Sequence, residues 1–178
     1  DYAPAVRALG AGEEIASIVG DEITTSDIGH FNGFPLPYRP DKRAAGALDW
    51  GRGPAANMPP EKIFEWVSSF EGEQVVQMNH PDSEALGAIA GLGADVLRGT
   101  THADPDKFRL PETERDPVTG DTGYWSDDFT AIELMNGTGL GGFRSIGRWW
   151  FTMLGRGFSP TATAVTDTHE LYSDLGGT

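Results

Sequence analysis

Cysteine is absent from the 178 residues. Disulfides, zinc–thiolate centres and thiol nucleophiles are therefore excluded. Any transition-metal site has to be built from imidazole and carboxylate. Positive charge is scarce as well: 13 Lys and Arg stand against 27 Asp and Glu, a formal net charge of −14. Phosphate backbones and anionic membrane surfaces call for a basic face, so neither nucleic acid nor a membrane is expected as a partner. No apolar run approaches the ~18 residues that a spanning helix needs. The opening DYAPAVRALGAGEE lacks the basic and then apolar order of a signal peptide, and it lacks an initiator Met. The expectation is a soluble chain without a targeting segment, cytoplasmic or exported. No G-x-S-x-G elbow or P-loop occurs to support a serine hydrolase or an NTPase.

What is present is enough for one folded domain over residues 1–178, with 38% hydrophobic residues. Four segments read as strands that end in polar residues: 14–22 (EIASIVGDE), 73–79 (EQVVQMN), 129–135 (FTAIELM) and 161–167 (TATAVTD). Between them, 60–70 places Ile63, Phe64, Val67 and Phe70 on one helical stripe behind Pro60. Residues 83–97 open on a cap-like Ser83, though Gly87, Gly91 and Gly93 weaken that helix. Residues 143–154 carry Ile146, Trp149, Trp150, Met153 and Leu154, which read as core. Residues 35–59 and 99–128 are long, turn-rich and polar, as functional or mobile loops are. Alternating strand and helix argues for an α/β fold with a mainly parallel sheet.

In such a fold the C-terminal strand ends share one rim, where ligands bind. Glu22 ends the first strand, and a polar stretch leads from it to His30. His80 follows the second strand, and Asp167 and His169 follow the fourth. Asp167 and His169 are two residues apart, so in an extended strand both side chains point to one side. An exposed polar turn would carry the same two residues. Taken singly, Glu22 reads as a surface acid, His80 as a hydrogen-bonded structural His, and His30 as a ligand or a loop His packed on aromatics. His102, in THADPD, reads as solvated. Convergence on one rim favours metal binding by Glu22, His30, His80, Asp167 and His169. No catalytic side chain is singled out beyond these ligands. Arg39, Arg43 and Arg52 are candidate anion contacts, equally at home on the surface.

Five blocks then come in an order that resembles the PHP (polymerase and histidinol phosphatase) superfamily, in its carbaryl-hydrolase-like branch. They are GDEITT (20–25), GHFNGFPL (29–36), VVQMNHP (75–81), FTAIELMNG (129–137) and TATAVTDTHE (161–170). The resemblance implies a distorted (β/α)7 barrel with up to three divalent metal ions, Zn, Mn or Fe. It implies Glu22 as a bridging carboxylate and His30 and His80 as ligands of a second metal. Asp167 would bind the first metal and His169 the third. The implied reaction is attack by metal-bound hydroxide on a phosphoester or carbamate-like ester, with a small-molecule ester as substrate. The family's opening His-x-His and Thr-Asp-His strands do not occur in this chain. The expectation is therefore a C-terminal portion, an incomplete barrel without its first two strands. Its open sheet edges favour self-association or pairing with the missing segment. A basic residue often follows NHP in relatives, but Asp82 stands here. An inactive, truncated metal-binding fragment or structural domain is the alternative to an active hydrolase.

Overall fold

The computed structural model describes residues 2–25, 29–48, 58–83, 87–89, 96–97, 126–137 and 140–167. Its strands are β1 (Asp21–Thr24), β2 (His30–Phe34), β3 (Val75–Met78), β4 (Ala131–Asn136) and β5 (Thr161–Val165). Its α-helices are α1 (Ala3–Ala8), α2 (Pro60–Ser68) and α3 (Leu140–Gly155). The strands lie side by side in chain order in one sheet. β1–β2 and β2–β3 are antiparallel, whereas β3–β4 and β4–β5 are parallel.

This overturns the expected barrel. Among the described residues the sheet is open, with β1 and β5 at its edges rather than joined. It is also mixed rather than mainly parallel, because β2 runs against its neighbours. Helix α2 lies between β2 and β3 and α3 between β4 and β5, yet β2 and β3 pair antiparallel, and β1 and β2 form a hairpin, which needs no helical crossover.

Register explains why these segments pair. Ile23, Phe31, Met78 and Ile132 are successive partners across four strands, and each is at most 1% exposed. They form one row on one face of the sheet. Helix α2 lays Ile63, Phe64 and Val67 into the same core, and α3 adds Ile146 and Met153. Phe31 meets the Phe64 ring edge-on at 5.2 Å. Each such side chain contributes roughly 1.5–3 kcal/mol on full burial. Trp149 and Trp150 pack at the margin of the core, and the Trp150 indole donates to the Pro160 carbonyl at 2.9 Å. Gly33 is required where β2 passes under α2: a Cβ there would sit 2.7 Å from Val67 Cγ2.

The adjacent row is polar on β1–β3, where Glu22, Asn32 and Gln77 are partners, and continues through the buried Ala131 to Thr161. The two faces of the sheet thus differ in kind, one built for the helices and one for polar groups. The expected strand 14–22 starts too early. Ile15 and Ile18 are 54% and 65% exposed, and the ladder begins only at Asp21, where β2 offers partners. Most of the helix expected over 83–97 and most of the insert 99–128 lie outside the described residues.

Candidate metal centre

Glu22 and His30 are brought together by the hairpin. His30 is the register partner of Thr24, two residues beyond Glu22 on the same face. Their side chains approach to 3.3 Å, His30 Nδ1 to Glu22 Oε1. The hairpin is closed by Thr25, whose N–H and hydroxyl both donate to the Gly29 carbonyl, at 3.3 and 2.8 Å. Gly29 has φ +108°, and a Cβ there would lie 2.6 Å from Ala88 N, so only glycine fits. His80 enters from the end of β3. The Asn79 N–H donates to the His30 carbonyl at 3.1 Å, which extends the β2–β3 ladder to the site. The two imidazoles meet edge-on, with centroids 4.9 Å apart at 73°. One ligand atom from each of Glu22, His30 and His80 lies within 4.8 Å of the others.

His80 is held in an unusual conformation, φ +25°. For a non-glycine residue this costs on the order of 1–3 kcal/mol and persists only under support from outside. The support is visible. The His80 N–H donates to Glu133 Oε2 at 3.1 Å, and the His80 carbonyl accepts from Ser83 N at 3.1 Å. A Cβ on Gly87 would meet the His80 carbonyl oxygen at 2.5 Å, so the glycine that weakens the helical pattern lets the backbone close over His80.

Three buried atoms here lack hydrogen-bond partners: His30 Nε2, His80 Nδ1 and Glu133 Oε1. A buried, unsatisfied polar atom costs about 1–3 kcal/mol. A cation accepting imidazole lone pairs would remove the two nitrogens from that account. Burial, and then the neighbouring His30, push the His80 imidazole below its ordinary pKa. It is therefore neutral at neutral pH, the form that binds metal. Two imidazoles and one carboxylate suit Zn, Mn or Fe, so the donor set fits the expected ion.

Glu133 was not singled out in the sequence. It is 1% exposed on β4, beside an irregularity in the β4–β5 register between Glu133 and Met135. Burial raises its pKa to about 7, against the lowering effect of the His80 N–H and Asn136; Asp167 and Glu22 add to the rise. The signal was a lone carboxylate inside the otherwise apolar FTAIELM. Asn32 and Asn79 were missed too. The Gln77 amide donates to Asn79 Oδ1 at 3.0 Å, and the Asn79 amide donates to Asn32 Oδ1 at 3.1 Å. This chain fixes the orientation of each amide.

Comparison with protein-family models, with curated proteins and with solved structures gives no match.

The remaining candidates are placed as follows. Asp167 follows β5 with φ +51°, and Oδ2 accepts from Asn136 Nδ2 at 3.1 Å. Its charge is felt at His80 and Glu133, but it is not in the group formed by Glu22, His30 and His80. His169, His102 and Arg52 lie outside the described residues. Asp82 accepts from the Ser145 hydroxyl at 2.8 Å, which ties it to α3. Arg39 donates to the Gly46 carbonyl at 2.9 Å and stacks over Phe70 at 5.1 Å. No helix among the described residues is long and apolar enough to cross a membrane.

Proposed function

We propose that this chain is a metal-dependent hydrolase acting on a phosphoester or carbamate-like ester, as the PHP resemblance implies. The observation that carries the reading is the group Glu22, His30 and His80, whose ligand atoms lie within 4.8 Å while two imidazole nitrogens stay buried and unpartnered. A divalent ion held there would supply Lewis-acid activation of water near neutral pH. Three protein ligands leave a coordination position open, as catalytic rather than structural sites do. The residues of the chain divide the remaining work. His30 and His80 give neutral nitrogen donors, and Glu22 gives the charge that offsets the cation. Glu133 orients His80 through its backbone, and burial raises its carboxyl pKa to about 7.

A second reading is a metal-binding domain without catalysis. It is favoured by Asp167, which is engaged with Asn136 rather than joined to the three-residue group. One experiment separates the two. Metal-stripped protein is titrated with Zn2+, Mn2+ or Co2+, and hydrolysis of a chromogenic phosphodiester and an aryl carbamate is followed. The hydrolase reading expects stoichiometric binding and activity restored by metal. E22Q, H30A and H80A are each expected to weaken binding at least tenfold. Tight binding without turnover would leave the second reading, and no binding at all would sink both.

A further inference from the structure

A cavity of about 430 Å³ opens beside Glu22 on the polar side of the hairpin, lined by Ile18, Gly20, Asp21, Glu22, Asn32 and Phe34. Its placement follows from register. Glu22 faces Asn32 across the hairpin, and alternation puts Phe34 on the face that Asn32 occupies. Glu22 therefore belongs to two constellations at once: the metal group on one side and the wall of this cavity on the other. The volume falls in the range of small-molecule sites, roughly 300–1,000 Å³.

The lining has a definite chemistry. Ile18 and Phe34 give apolar walls. Gly20 lets the chain lie close against β2 at the base of the cavity, because a Cβ there would press to 3.2 Å on both Phe34 Cβ and the Gly33 carbonyl oxygen. Ile18 is 65% exposed, too much for a core residue and natural for the rim of a site. The charged groups in the lining are the carboxylates Asp21 and Glu22, and among the described residues no Lys, Arg or His joins them. An anionic group placed here would meet the Asp21 carboxylate, which no cationic side chain offsets in this lining, and before metal binds it would meet Glu22 as well. Asn32 is the one amide in the wall. Its Oδ1 already accepts from Asn79, so the group it turns toward a ligand is its NH2 donor.

We propose that this cavity receives the uncharged, apolar substituent of the ester, an aryl or branched alkyl group, and rejects substituents that carry negative charge. The proposal rests on the hydrolase reading, since Glu22 is what places the substituent beside the metal group. Ile18, Gly20 and Phe34 then set specificity without touching the ion, and the Asn32 amide gives the substrate one hydrogen bond at the junction.

The test is equilibrium binding to the metal-free full chain, independent of turnover. Acetanilide serves as the neutral probe and 4-acetamidobenzoate as the same probe with a carboxylate. Ligand-observed NMR gives the affinities, and the shift of the Ile18 methyl signal locates the ligand. Acetanilide is expected to bind saturably and to move Ile18, and 4-acetamidobenzoate to bind at least tenfold more weakly. G20V should abolish acetanilide binding. I18D, on an exposed position that leaves the core intact, should weaken it at least tenfold. Equal affinity for the two probes, no movement of Ile18, or full binding by I18D would overturn the proposal. Cobalt titration of the same samples reports the metal group separately. Wild type that fails to bind cobalt overturns the hydrolase reading. Variants that bind cobalt normally but lose acetanilide support the cavity assignment.

Discussion

At the scale of single residues, Glu133 makes the most direct statement about pH. Its carboxyl titrates at about 7 in the fold against an ordinary 4.5. A raised carboxyl pKa means that the fold prefers the uncharged form. The resulting stabilisation is full below about pH 4.5 and is lost as pH rises through about 7. At ~1.4 kcal/mol per unit this is on the order of 3 kcal/mol. His80 works in the opposite sense: its depressed pKa contributes stability above its unfolded value that is lost as pH falls. The difference between wild type and E133Q isolates the Glu133 part. Urea denaturation of metal-free protein at pH 5 and pH 8 should show E133Q gaining about 2–3 kcal/mol relative to wild type across that interval. A pH-independent difference would mean that Glu133 is already ionised or solvated. The sequence singled out Glu22, His30 and His80, though the structure places Glu22 within β1 and His30 at the start of β2 rather than both at strand ends. Glu133 was not singled out, because one carboxylate in an apolar strand gives no hint of whether it is buried or partnered.

At the scale of elements, the hairpin is where sequence reasoning and structure part. HFNGF alternates polar and apolar at His30, Phe31 and Asn32, which is a strand signal, yet five residues among glycines read as a loop. The stretch 14–22 looked like a strand because it holds isoleucines, but Ile15 and Ile18 are three apart and cannot share a face of one strand. Segments 60–70, 73–79 and 129–135 were placed well because burial and period agree there, and 161–167 forms β5 although its residues are mostly exposed. β2 lies close against α2 at Gly33, where a Cβ would come 2.7 Å from Val67. G33A is expected to cost about 1–3 kcal/mol through overpacking. V67A in the G33A background should recover part of the loss, so a double-mutant cycle by thermal denaturation should give a coupling of at least about 0.5 kcal/mol. Additive effects would show that the helix simply moves aside.

At the scale of the molecule, the expected barrel fails for a physical reason. Local periodicity reports which residues are buried but not whether the sheet's two edge strands meet. A reversed β2 is equally compatible with the same apolar rows. The net charge of −14 also acts at this scale. Self-repulsion makes any added salt favourable to the compact state, so cation effects need a control. A divalent ion at a hundred times its dissociation constant should stabilise wild type by ~2.7 kcal/mol through binding alone. NaCl at matched ionic strength should do less, and H30A/H80A should respond equally to both salts. A double variant that still prefers the divalent ion would place the stabilising site elsewhere.

The reversal of β2 also sets an order of events in time. Glu22 and His30 sit within one hairpin, and hairpins close in ~1–10 μs. His80 arrives only when β3 docks, a pairing in which Asn32 and Asn79 are separated by 47 residues. An ion that needs all three ligands is then captured only once β3 has docked. Added Zn2+ is expected to slow unfolding while leaving the refolding rate as it was. Stopped-flow chevrons with and without metal would show this, and a faster refolding limb would mean that the hairpin recruits the ion alone.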